Sequence, residues 1–440
     1  MKLSFVIAVC LAVLLFLTML GERGFGLSPL LVALILLALF FVARGFAGEA
    51  SEEEKAPGEP EENQISNKRV RALASEIEPF LSVQGWKIVN GTVQFEGLLR
   101  TGPVQALRGI GDRLKVSNTR AVLTEAEKNR VHLTIVPVSP EECASKQPNW
   151  LLHGALLVLT VATTTWAGAL HQGVDLLQQP ADFAVGLPYS IGLILILGAH
   201  ELGHYFAARS HRIQVTPPYF IPAPFALGTF GAFINMKGTT QDRRALFDVA
   251  IAGPLAGLVF AIPALLVGLQ YSTVTVGDDA SLQMSHGGVE IGSSFLMAIL
   301  SKLALGPAAA EGHRLVLHPL AFAGWLGLLV TALNLLPIGQ LDGGHIAHAL
   351  FGPRKARTIS VVALVLLFLL ALFLWPGLMM WAFIVFFIAG TRDTPAANDV
   401  TPLDLSRQAL GYFAFLLLAL ILVPVPHSLY GTFGIHCPYV

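Results

Sequence analysis

At 440 residues, with 54% hydrophobic and only 13% charged residues, the chain falls far below the roughly 25% charged composition of soluble domains and implies a polytopic membrane protein. A formal net charge of −1 gives no basis for nucleic-acid binding. Cys10, Cys143 and Cys437 are widely separated and lack the CxxC spacing of a redox or zinc motif.

A hydrocarbon core about 30 Å thick takes roughly 20 apolar residues in a helix. That ruler predicts an α-helical bundle of about nine spans: Leu3 to Leu20, Leu27 to Phe46, Leu151 to Leu170, Phe183 to Phe206, Leu246 to Leu269, Leu320 to Leu336, Ile359 to Leu374, Gly377 to Ala389 and Ala409 to Val423. The first also reads as a signal peptide, but it lacks a clear small-x-small cleavage site and a second span soon follows. The eighth is short, and Trp375-Pro376-Gly377 is the expected hairpin joining it to the seventh. The expected organisation is two N-terminal transmembrane helices over 1–47, a polar acidic linker over 48–69, a small soluble α/β domain over 70–148, a membrane core over 149–390, and a polar loop with a last span over 391–440.

Glu, Pro and polar residues dominate the linker from Glu49 to Ser66, which cannot bury enough apolar surface to fold alone. In the α/β domain, Val93-Gln94-Phe95 and Val131 to Val136 alternate as strands do, and Pro103 to Leu114 has helical spacing. Its charges are mixed and it holds no catalytic constellation, which points to binding or regulation by a partner.

The fourth span carries His200-Glu201-Leu202-Gly203-His204. On a helix this spacing sets two imidazoles on one face, one turn apart, where they can share a Zn²⁺ with the Glu beside its open position. Two His and a Glu in an apolar span are expensive unless something compensates them, and a metal does so economically. Next come Thr216-Pro217-Pro218-Tyr219, Pro222 and Pro224, and then Gly228-Thr229-Phe230-Gly231-Ala232-Phe233, too short and interrupted for a span. They predict a β-hairpin or re-entrant segment near the site, with a free edge for an unwound substrate, or a loop that plugs the bundle. The prolines are where a mobile gate is sought; shaping a rigid loop is their other reading. Ala252-Gly253-Pro254-Leu255-Ala256-Gly257 spaces small residues for close helix packing. The segment Thr273 to Pro319, with Asp278, Asp279 and Glu290 and an apolar stretch Phe295 to Leu305, forms the largest outer loop.

A catalytic zinc needs a third protein ligand. Asp342 follows an apolar helix in Asn334-Leu335-Leu336-Pro337-Ile338-Gly339-Gln340-Leu341-Asp342-Gly343-Gly344, where the chain can bend a carboxylate back into the bundle; a turn role is the alternative. His345 and His348 are alternative ligands, or orient Asp342.

The two motifs, in this order and separated by membrane spans, closely resemble the site-2 protease family of intramembrane zinc metalloproteases, peptidase M50. Gly228 to Gly231, His318-Pro319 to Trp325 and Phe95-Glu96-Gly97 resemble the branch that includes the chloroplast EGY-type proteases and their bacterial relatives, over roughly Phe80 to Gly352. No PDZ-like or CBS-like insert is found. The resemblance implies one zinc per chain on His200, His204 and Asp342, with Glu201 activating the water. It implies substrates that are transmembrane helices of other proteins, cut within or next to the bilayer after local unwinding. Asn334 matches the motif Asn, which bonds substrate backbone or oxyanion; a helix–helix hydrogen bond is its other reading.

Lys and Arg fix the expected orientation. With Lys2 inside, the inner loops hold Arg209, Arg212, Lys237, Arg243, Arg244, Arg354, Lys355, Arg357, Arg392 and Arg407, against Arg23, Lys302 and Arg314 outside. Both motifs then lie near the cytoplasmic side, and Lys237, Arg243 and Arg244 read as topology anchors. The short N-terminus without an Arg- and Ser-rich transit segment points to a bacterial inner membrane. Two other functions are weighed. An inactive membrane chaperone or binding protein of the same fold would have lost a His or the Glu, and all are present. A metal transporter needs polar residues on several spans, and few occur.

Overall fold

The computed structural model describes residues 67–89, 92–114, 119–126, 130–137, 148–223, 227–237, 240–276, 294–306, 313–373, 378–388 and 396–423. The two N-terminal spans, the linker up to residue 66, all three cysteines, Pro224, Asp278, Asp279, Glu290, His436 and the Trp375-Pro376-Gly377 hairpin lie outside these residues.

The soluble part begins with helix α1 (Asn67–Ile77), followed by β1 (Leu81–Val89), β2 (Thr92–Leu99), α2 (Pro103–Leu114), β3 (Thr119–Glu125) and β4 (Val131–Pro137). β2 alternates as its sequence predicts, with Val93, Phe95 and Gly97 buried. Ile110 and Leu114 of α2 pack on that face with Phe95, Leu123, Leu133 and Ile77 to form one core. On the other face Arg130 donates to Glu96 at 2.9 Å and holds its carboxyl below the usual carboxylate range. Burial lowers the pKa of neighbouring His132.

The membrane part runs through α3 (Trp150–Leu170), α4 (Leu187–Ser210), β5 (Gln214–Val215), β6 (Tyr219–Pro222), β7 (Thr229–Phe233), β8 (Met236–Lys237) and α5 (Arg243–Gln270). It continues through β9 (Thr273–Val276), α6 (Phe295–Leu305), β10 (His313–Val316), α7 (Pro319–Leu335), α8 (Asp342–Phe351), α9 (Pro353–Phe373), α10 (Leu378–Ile388), β11 (Asn398–Asp399) and α11 (Leu405–Leu422). The stretch after α4 folds as antiparallel pairs, β6 with β7 and β5 with β8. β11 joins the soluble domain as the edge strand of a sheet ordered β1-β2-β4-β3-β11, parallel to β3.

Among the described residues, five helices are long and apolar enough to cross a membrane: α3, α4, α5, α9 and α11. Of the nine spans expected, seven fall on described residues, and these five helices account for five of the seven. Two of the seven form shorter helices, α7 with 17 residues and α10 with 11. At 1.5 Å per residue α7 is about 26 Å long. It packs against α4, α5 and α11, with Ala321, Ala323, Leu328 and Ala332 fully buried, so protein rather than lipid surrounds much of it. Phe295 to Leu305, an apolar stretch of the expected outer loop, forms helix α6, with Met297 and Leu300 turned into the core beside α5.

The α5–α7 crossing depends on close backbone approach at Gly324, where a methyl group would sit 2.5 Å from the Leu265 nitrogen. Gly324→Leu is expected to destabilise the bundle by about 1–3 kcal/mol through overpacking. A melting midpoint in detergent lowered by about 3 °C or more checks this, and an unchanged midpoint refutes it.

Candidate metal centre

Helix α4 carries His200, Glu201 and His204 with no charged residue N-terminal to them in the helix. Their 3.6-residue periodicity puts both imidazoles on the face turned toward α5 and α7. All three side chains are buried, between 4% and 8% exposed. α7 ends at Leu335; Pro337 cannot continue the hydrogen-bond ladder, and Gly339 adopts a left-handed φ of 47°. The chain then doubles back so tightly that a side chain at Gly343 would strike the Leu335 carbonyl, and one at Gly344 the Gly339 carbonyl. Ser360 of α9 secures the bend by accepting from the Gly339 N–H at 3.1 Å. Asp342, the first residue of α8, is thereby returned to the bundle.

There Asp342 Oδ2 lies 3.4 Å from His200 Nε2 and 3.3 Å from His204 Nε2, and the two Nε2 atoms are 3.1 Å apart. Among the described residues these three form the one His, Cys, Asp or Glu group able to hold a metal ion. A tetrahedral zinc with bonds of about 2.0–2.2 Å needs ligand atoms about 3.3–3.6 Å apart, close to this triangle. The donor chemistry also fits. His204 Nδ1 is 2.7 Å from the Val249 carbonyl, which only accepts, so Nδ1 carries the proton and Nε2 turns a lone pair toward the carboxylate. Such a backbone anchor on the far nitrogen is the usual mark of an imidazole prepared for a metal.

The residues around this triangle form a cavity of about 260 Å³ that also includes Glu201, Asn334, Gln340 and His345. Glu201 accepts a hydrogen bond from the Ile234 N–H just beyond β7, which ties the carboxylate to the β-hairpin arm. Asn334 Nδ2 is 3.3 Å from His200 Nε2. Thus the five residues singled out from sequence converge on one cavity. His345 lines the same cavity, whereas His348 points away and bonds Asp399 at 2.9 Å. His211 lies 3.0 Å from Asp248, which also pairs with Arg407.

Sequence reasoning overlooked the part played by α5. Val249 anchors His204, a side chain at Gly253 would run into the His204 imidazole, and Gly257 lies against His200. The small residues of Ala252 to Gly257 signalled close packing; what they pack on is the pair of histidines.

Comparison with known proteins follows the same residues. The model for peptidase family M50 matches residues 188–374, which include both motifs. A protein named probable zinc metalloprotease EGY2, chloroplastic, from Arabidopsis thaliana is 32% identical over 360 residues, 78% of this chain and 62% of its own. The Arabidopsis protein named probable zinc metalloprotease EGY1, chloroplastic, is 36% identical over 262 residues, 60% of this chain and 47% of its own. EGY2 of Oryza sativa subsp. indica is 30% identical over 350 residues, 77% of this chain and 62% of its own. The chain therefore spans less than two thirds of each relative. All three names carry "chloroplastic" and lend no support to the bacterial inner membrane expected from the N-terminus. No solved structure matches the chain.

Gly253→Ala is expected to displace the His204 ring and to lower divalent-metal content well below that of the unchanged chain, while helicity by circular dichroism is kept. Equal metal content in the folded variant would contradict the close fit of α5.

Proposed function

Because the chain belongs to peptidase family M50, we propose that this integral membrane protein is a zinc metallopeptidase that hydrolyses peptide bonds within or next to the transmembrane segments of other membrane proteins. The observation that carries the reading is the convergence of His200, His204 and Asp342, with Glu201 beside them, in a buried cavity between apolar helices. The zinc metalloprotease names of the relatives support the choice of metal.

His200 and His204 Nε2 and an Asp342 oxygen would hold one zinc per chain. Bound there, zinc lowers the pKa of a water to about 7 and polarises the scissile carbonyl. Glu201 takes the water's proton on its carboxylate and passes it to the leaving amine. The Ile234 N–H holds that carboxylate in the cavity, and Val249 holds the His204 tautomer. Asn334, at the cavity wall, is positioned to donate its amide to a substrate carbonyl.

Substrate backbone must be unwound before its carbonyl can be reached. β7 pairs with β6 on one side, and Ala232 and Phe233 line the cavity wall, so an extended substrate segment can add to the other edge by strand pairing. The bias of Lys and Arg toward one set of loops supports a cavity near the cytoplasmic side. The soluble α/β domain, without a metal-ligand group among its described residues, serves a regulatory or substrate-selecting partner.

Wild-type protein in detergent is expected to hold about one zinc, and folded Asp342→Ala to lose it. Retention by Asp342→Ala would move the third ligand to another residue. Glu201→Gln is expected to keep zinc but lose about a hundredfold or more of its cleavage of a reconstituted membrane substrate, the range for a general base. Unchanged cleavage would sink the assignment.

A further inference from the structure

A second polar cluster lies outside the cavity, and the proposed chemistry does not use it. Asp399 is fully buried, as are Arg243 and His348, at 0%, 6% and 1% exposed. One Asp399 carboxylate oxygen accepts from Arg243 Nε at 2.7 Å and the other from His348 Nε2 at 2.9 Å. Arg243 also donates to the Asp399 backbone carbonyl at 2.6 Å. Both carboxylate oxygens and one backbone acceptor are thus satisfied by two side chains from different helices. This departs from the expectation that Arg243 is a topology anchor: its guanidinium is turned inward, toward an acid 156 residues away.

Three parts of the fold meet here. Arg243 opens α5, and six residues later Val249 anchors His204. His348 lies on α8, six residues after Asp342 and about 9 Å along the same helix. Asp399 lies on β11, whose neighbours are hydrogen-bonded on both sides. The Leu123 N–H of β3 donates to Ala397 at 2.8 Å, while the Ala397 and Asn398 N–H groups donate to Thr240 and Gln241 at 2.9 Å. A backbone ladder therefore runs from the soluble sheet, through residues 397–399, to the turn that begins α5.

Resting on the reading of the site given above, we propose that Asp399 is a positioning residue for the metal centre. It fixes α5 and α8 to one carboxylate, so that the His204 anchor and the third ligand are set together, and it makes their spacing depend on the engagement of the soluble domain's outer strand. An ion pair that served stability alone would leave the ligand geometry untouched when weakened. A positioning residue would not, and by linkage metal binding would in turn tighten the β3–β11 contact.

The test uses the full chain in detergent, loaded with cobalt(II) or zinc. His348→Leu cuts the tie to α8 but leaves the Arg243 pair, Asp399→Asn weakens both ties, and His348→Gln keeps a donor toward Asp399. His348→Leu and Asp399→Asn are expected to bind metal about 10-fold more weakly, the lower end of the cost of losing a hydrogen bond to a ligand itself, since neither residue bonds a ligand directly. Both should also alter the visible cobalt band, with His348→Gln closer to wild type. In wild type, metal loading is expected to slow amide exchange at Leu123 and Asn398, and in His348→Leu it should not. Folded variants with wild-type affinity and an unchanged cobalt band overturn the inference while leaving the metal site standing. Should both variants fail to fold, exchange in wild type decides, and rates at Leu123 and Asn398 unmoved by metal overturn it. A wild type that binds neither cobalt nor zinc overturns the reading of the site and this inference with it.

Discussion

The rest of the membrane core is arranged around one constraint: two imidazoles and two carboxylates are held among apolar helices, where polar groups without partners are costly. Three elements supply the partners. The Val249 carbonyl of α5 accepts from His204 Nδ1–H, the Ile234 N–H beyond β7 donates to Glu201, and Asp342 of α8 faces both histidines. These partners require three chain segments to come within contact of one face of α4. Bulky residues would forbid it, so α5 presents Gly253 and Gly257 to the histidines, and Gly343 and Gly344 let the chain turn back on itself. The small-residue spacing and the Pro-Gly bend are therefore consequences of the site rather than separate features of packing.

The legible parts of the sequence were those whose signal is local. HExxH is set by one helical turn, and the Asp motif by a helix end, a proline and two glycines. β2 and β4 alternate because one face is covered by α1 and α2. β1 hides its alternation behind a register shift between Val83 and Gly85. β3 hides its own because Ala121, Val122 and Leu123 are all buried. Pairings across long sequence separation left no trace at all. β11 is two residues long, and nothing near Asn398 or Asp399 announces a partner at Leu123 or Arg243. Arg243 was misread for the same reason, since a basic residue at the start of an apolar helix looks like an orientation signal until its distant acid is known. Hydropathy also cannot distinguish burial in lipid from burial in protein, as α7 shows: its bounds lie within one residue of those expected, yet protein covers much of it.

The arm between α4 and α5 shows how irregular backbone is accommodated beside membrane helices, where every donor and acceptor needs a partner. Its turn is held by α3 and α4: Thr163 donates to the Gly228 carbonyl at 2.7 Å and Tyr189 to Leu227 at 2.9 Å. Its first strand is held by His153, whose Nδ1 donates to the Pro218 carbonyl at 3.0 Å. Thr229 closes the hairpin on itself by donating to Ile221 at 2.7 Å. Pro217, Pro218 and Pro222 remove three N–H groups that would otherwise need acceptors. That role explains the prolines without a moving gate. Tied at its turn and at Pro218, and bonded through Ile234 to Glu201, the arm is a shaped wall of the cavity. Because the same wall carries β7 and the N–H that orients Glu201, displacing the strand would disturb the carboxylate as well. Docking of an extended segment and the readiness of the base are in this way properties of one element.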